Sequence, residues 1–143
     1  MTTDEVTATL THYLALCDVP AGAEGELGEL FTEDAVWEGG GSAYAEKFGR
    51  TEGREAIVTM LSDYLPPSPH FRTNVHLLFP GTVDLKDATA HGSWSMQQFS
   101  RYESGSAEVM VARLNVTFRL DDDRPRISAF RTERLFAAPL LGE

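Results

Sequence analysis

The hydrophobic pattern divides the chain into a helical first part and a sheet-forming remainder. Val6, Leu10, Tyr13, Leu14 and Cys17 recur at the i, i+4, i+7, i+8 spacing of an amphipathic helix over residues 4–17. Thr2, Thr3 or Asp4 can cap it, Asp4 and Glu5 suit its positive end, and Val19-Pro20-Ala21-Gly22 stops it. Leu27, Leu30 and Phe31 predict a short second helix over residues 24–31. Residues 35–38 then read as a brief strand, and Gly39-Gly40-Gly41-Ser42 as a flexible loop. A third helix over residues 54–65 carries Ile57, Leu61, Tyr64 and Leu65 on one face. Pro66-Pro67 ends it, because proline lacks a donor and restricts the residue before it.

From Phe71 onward apolar and polar residues alternate with period two, which predicts strands near residues 73–79, 88–102, 108–120 and 126–136. Gly81 with Asp84-Leu85-Lys86-Asp87 marks the turn between the first two strands. Glu103-Ser104-Gly105-Ser106 and Asp121-Asp122-Asp123-Arg124-Pro125 mark the later ones. Helices followed by long strands give an α+β fold, with a curved antiparallel or mixed sheet wrapped around the N-terminal helices. Strands this long curl, and a curled sheet over helices forms a cone with an apolar hollow. A chain of 143 residues is expected to make one domain.

Charge narrows the partners. The net charge of −10 argues against nucleic acid and anionic membranes, since both need a basic footprint. The charge is also uneven. Eight acids and no lysine or arginine precede Trp37, whereas Arg113, Arg119, Arg124, Arg126, Arg131 and Arg134 crowd the last strands. Acidic helices attracting a basic sheet rim, or a second subunit, account for this; an anion site built from those arginines is the alternative. No apolar run is long enough to span a bilayer, and MTTDEVTATL is unlike a signal peptide. Cys17 stands alone, so the chain holds no internal disulfide and a reducing cytoplasm is the expected location.

Several chemistries lack their residues. The triple glycine is followed by neither Lys-Ser/Thr nor a correctly spaced helix, so no nucleotide fingerprint is met. There is no G-x-S-x-G elbow and no H-E-x-x-H. His12, His70, His76 and His91 have no standard metal spacing, and neither a metal nor a cofactor is expected. Cys17 at a helix C-terminus meets the negative end of the dipole, which disfavours thiolate.

The order of elements, together with Leu30-Phe31-Thr32-Glu33-Asp34-Ala35-Val36-Trp37, resembles the SnoaL-like branch of the NTF2-like superfamily. Gly49-Arg50 through Gly53-Arg54-Glu55-Ala56-Ile57, Arg72-Thr73-Asn74-Val75-His76, Asp87-Ala88-Thr89-Ala90 and Arg126-Ile127 extend the resemblance over almost the whole chain. This branch includes relatives of scytalone dehydratase, bile-acid dehydratase and ketosteroid isomerase. The resemblance implies that Asp18, at the end of the first helix, faces His76 across the cavity, with His76 as general base and Asp18 as its orienter. A carboxylate on one ring nitrogen fixes the tautomer and raises the basicity of the other. Asp18 also stands where an acid commonly ends a helix, and a lone strand histidine can be structural.

Laid against the dehydratases, the strand from Ala88 puts Trp94, Met96 and Gln98 on the cavity side, with Gln98 where scytalone dehydratase has a second catalytic histidine. Glutamine can hold a substrate oxygen but cannot shuttle a proton near neutral pH. Tyr44 and Tyr13 are the phenols available to polarise a carbonyl, and Leu114 completes the expected binding set. The reading is a cofactor-independent dehydratase, isomerase or cyclase acting on a hydrophobic cyclic or aromatic carbonyl compound. The alternative is a non-catalytic binding or assembly module, or an oxygenase accessory subunit, using the same cavity. A homodimer or trimer through the sheet face is expected in either case.

Overall fold

The computed structural model describes residues 1–19, 24–65 and 71–140. The turns expected at Pro20-Ala21-Gly22 and Pro66-Pro67, and His70, lie outside the described residues. Helix α1 (Thr3–Asp18) opens with a capping box: Thr2 Oγ1 accepts from the Glu5 backbone N–H, and the Glu5 carboxylate accepts from that of Thr2 at 2.7 Å. Its buried face, including Val6, Leu10, Tyr13 and Leu14, follows the stripe in the sequence.

Next come α2 (Glu24–Glu29), β1 (Phe31–Gly40), α3 (Gly41–Lys47), β2 (Arg50–Glu52) and α4 (Arg54–Ser62). The remainder is β3 (Phe71–Leu78), β4 (Thr82–Lys86), β5 (Thr89–Tyr102), β6 (Ala107–Arg119) and β7 (Arg126–Pro139). The sheet runs β2-β1-β7-β6-β5-β3, with β4 also paired to β5. Only β1–β7 is a parallel pair, so the sheet is mixed. β3 and β4 share one edge of β5: β3 pairs with residues 96–102 and β4 with residues 89–93. The sheet is curved and does not close, and α1, α3 and α4 pack against it. Tyr13 reaches Phe130 at 5.0 Å between ring centroids, and Trp37 stacks on Phe130 at 5.3 Å.

Four local expectations are corrected. Phe31 begins β1 rather than ending α2, since the Leu30 carbonyl accepts from Ile127 N–H at 2.7 Å and draws the chain into the sheet. The triple glycine is not a flexible loop. Gly39 and Gly40 pair with Thr132 and Glu133 of β7, and α3 starts at Gly41 with φ +69°. The glycines permit close packing of this helix on its own strand, because a Cβ on Gly39 would lie 2.2 Å from the Tyr44 carbonyl oxygen. The Asp84–Asp87 cluster is not all turn. Thr82–Lys86 is a strand, and the reversal falls at Asp87, whose φ is 56°. Finally, α4 ends at Ser62, although Leu65 remains buried.

On β3 the polar parity faces inward. Asn74 is 4% exposed and His76 is half-buried, whereas the apolar Val75 and Leu77 are 41% and 46% exposed on the outer face.

Candidate active site

Between α1, α3, α4 and the inner sheet face lies a cavity of about 110 Å³. Its walls are mostly apolar and aromatic, including Leu14, Trp37, Phe48, Met110 and Phe130. Of the residues expected there, Tyr13, Tyr44, His76, Met96, Gln98 and Leu114 line it. Trp94 does not: it packs edge-on to Phe118 at 6.4 Å, and an added Cβ on Gly92 or Gly81 would strike its ring. The side chain does face inward and is buried. It lies in the solid part of the core, nearer the β4 end of β5.

Asp18, the last residue of α1, reaches His76 from the helix end. One carboxylate oxygen, Oδ2, accepts the His76 backbone N–H at 3.1 Å, and Oδ1 makes a short hydrogen bond with ring Nδ1. The side chains of His76 and Asp18 are 11% and 25% exposed. With Nδ1 engaged, Nε2 is the ring nitrogen without a partner among the described residues. A carboxylate at Nδ1 favours the tautomer that carries its proton there, which leaves a lone pair on Nε2. The other described histidines are employed elsewhere: His12 contacts Glu26 and His91 contacts Thr117, each at 3.0 Å and at exposed positions.

Gln98 stands opposite His76 in the β3–β5 register. Its amide donates to Ser100 Oγ at 3.0 Å and lies 3.4 Å from Asn74 Oδ1, while Ser100 donates to Asn74 at 2.6 Å. Asn74 and Ser100 are both buried, so this network fixes the amide while Gln98 and Asn74 line the cavity. Asn74 was legible by parity with His76; the network was not.

The phenols differ in what they can offer. The Tyr13 hydroxyl accepts from Trp37 Nε1 at 3.0 Å, and burial pushes its pKa up. Tyr44 has only a weak contact to Met110 sulfur at 3.7 Å; burial raises its pKa, so it stays a donor. Tyr102 hydrogen-bonds Glu108, and burial, then that carboxylate, raises its pKa. Burial pushes the Cys17 thiol up to about 12, so it is not a nucleophile. Lys47 sits at the cavity mouth, its amine 5.1 Å from the Phe48 ring centroid and 5.6 Å from that of Tyr64, and burial lowers its pKa. Among the described residues no group of three metal-ligating side chains forms.

Sequence comparison agrees with the architecture. The model of the SnoaL-like domain matches residues 2–131, nearly the whole chain. The chain belongs to the SnoaL-like domain family. Solved structures of the NTF2-like fold superimpose on this SnoaL-like protein at low identity. A hexachlorocyclohexane dehydrochlorinase (LinA, type 2) matches with a TM-score of 0.81 at 16% identity over 98% of this chain and 89% of its own. An NTF2-like protein with a cystatin-like fold from Novosphingobium aromaticivorans matches with a TM-score of 0.69 at 24% identity, over 92% and 80%. ActVI-ORFA from Streptomyces coelicolor matches with a TM-score of 0.71 at 12% identity, over 92% and 96%. No curated protein sequence matches the chain. These likenesses establish the fold; they do not carry an activity across.

Proposed function

We propose that this SnoaL-like protein is a cofactor-independent lyase or isomerase acting on a hydrophobic cyclic or aromatic carbonyl compound. The observation that carries the reading is the double grip of Asp18 on His76, through the backbone N–H and ring Nδ1, at the wall of an apolar cavity. Nε2 takes a proton from the carbon next to the carbonyl, and the electron pair moves onto the carbonyl oxygen. Tyr44, neutral and poorly satisfied, donates to that oxygen, while Gln98, whose amide hydrogens go to Ser100 and Asn74, offers Oε1 to a substrate hydroxyl. The imidazolium, paired with Asp18, returns the proton either to a leaving β-hydroxyl, which departs as water, or to a neighbouring carbon. General-base catalysis of this kind supplies about 10²–10⁴-fold. The mostly apolar walls strengthen each of these electrostatic contacts.

A purely binding role would be favoured by a cavity whose polar group was Gln98 alone. His76, Asn74, Tyr44 and Thr132 share the wall, which favours chemistry. Assembly through the outer sheet face belongs to the same reading, supported by the exposed apolar row Val75, Leu77 and Phe79. The test is mass-spectrometric identification of a compound that co-purifies with the protein, followed by its return to the wild type and to His76→Ala. Consumption by the wild type alone supports the proposal; recovery of the compound unchanged from both overturns it.

A further inference from the structure

Four arginines of the last two strands and the turn between them find a carboxylate. Arg119 pairs with Asp34, Arg124 with Glu29, Arg126 with Asp122, and Arg131 with Glu38. Acidic helices and strands thus neutralise much of the basic rim. Arg134, like Arg72 and Arg113, makes no hydrogen bond or ion pair among the described residues. It follows Phe130 and Thr132 on the same face of β7, and both of those line the cavity. Arg134 is therefore the next side chain on that face, exposed just past the enclosed part.

A second cation meets it from the helical side. Lys47 lies three residues after Tyr44 on α3, so the two share a helix face and both line the cavity. The Lys47 amine has ring contacts but no carboxylate partner among the described residues. It is within electrostatic reach of Arg134 and of Glu108. Glu108 is itself engaged by the Tyr102 hydroxyl. Two cations thus share the mouth with one carboxylate that is already hydrogen-bonded.

We propose that Lys47 and Arg134 form an anion-recognition rim, and that the ligand of this cavity carries a carboxylate at the end remote from His76. This specificity deepens the catalytic reading given above and rests on it for the position of the reacting carbon. The spacing follows from the sheet. His76 on β3 and Arg134 on β7 are separated by β5 and β6, three strand spacings or about 14 Å at ~4.8 Å each, with Arg134 level with Ala112 and Met96. A carboxylate roughly 10 Å from the reacting carbon fits that span, with the apolar body between. The chain as a whole carries −10, which repels anions, so any preference for one must be local.

The probes are trans-cinnamate and its neutral isostere cinnamamide, with dissociation constants read by ligand-observed NMR at low salt. The wild type is expected to bind cinnamate about tenfold or more tightly than cinnamamide, as one charge-assisted contact supplies. Lys47→Met and Arg134→Met should each shrink that ratio severalfold while cinnamamide affinity stays unchanged, which also shows that the cavity is intact. His76→Asn removes the base but should keep the preference, so failed catalysis and failed anion recognition give separate signals. Equal affinity for the two probes in the wild type, or a preference that survives both methionine variants, overturns the proposal.

Discussion

The Asp18 carboxylate holds His76 at two points, the backbone N–H at 3.1 Å and the ring Nδ1. A helix end is thereby tied to the edge strand β3, and a single side chain sets both the position of the strand and the tautomer of the ring. Replacing Asp18 by Ala leaves a largely buried N–H without an acceptor, at a cost of about 1–3 kcal/mol. Urea unfolding should show that loss. In ¹⁵N spectra His76 should carry its proton on Nδ1 in the wild type and shift towards Nε2–H in the variant. An unchanged tautomer would separate Asp18 from any role in orienting the base.

Asn74, Ser100 and Gln98 make a buried polar network beside the cavity. Asn74→Leu should destabilise the protein by about 1–3 kcal/mol, because Ser100 loses its acceptor in a place water does not reach. Denaturant melts of this variant and of the double change Asn74→Leu with Ser100→Ala check it. The double variant should not recover the loss in full, because Gln98 donates to both residues and then has no protein acceptor for its amide.

Cys17 predicts an alkaline limb. Its folded pKa of about 12 exceeds the ordinary thiol value of roughly 8.5. The neutral thiol is the form the fold favours. The contribution is therefore complete below pH about 8.5 and is lost as pH rises from there towards about 12. Cys17→Ala should flatten the fall of stability between pH 9 and 11, as followed by thermal melts. At pH 8 the native thiol should alkylate with iodoacetamide on the order of 10³-fold more slowly than a free thiol.

The glycine run gives a contrast between neighbours. A Cβ on Gly39 meets the Tyr44 backbone carbonyl at 2.2 Å, whereas one on Gly40 meets the Arg131 guanidinium at 2.4 Å. Backbone cannot yield cheaply, but the end of an arginine can. Gly39→Ala should cost about 1–3 kcal/mol or more and displace Tyr44 from the cavity, while Gly40→Ala should cost well under that. Comparison of their melting temperatures decides it.

These glycines also mark the limit of what the sequence conveyed. The stripes of α1 and α4 and the long strands β5 to β7 were legible because one face of each must be buried, and period follows burial. The short α3 and β2 were not, since three or seven residues carry too little periodicity to outweigh a run that reads as a loop. The β4 strand was hidden because Asp84 and Asp87 look like turn residues, while Val83 and Leu85 alternate with them. At the cavity, the resemblance to the dehydratases put Met96 and Gln98 on the wall, where they lie, but could not tell how deep the hollow extends, so Trp94 was placed in it. Lys47 escaped notice because residues 43–53 were given no element, and the Asn74 network because only the register brings Ser100 and Gln98 beside Asn74.

The claim on which the account turns is that His76 removes a proton from carbon inside this cavity. Deuterium incorporation from D₂O at the α-carbon of 1-tetralone, followed by NMR with wild type and His76→Ala, measures that step without requiring the natural substrate. Acceleration over buffer by the wild type, lost by about 10²-fold or more in His76→Ala, is the predicted result. Exchange no faster than buffer, or equally fast in the variant, would contradict it.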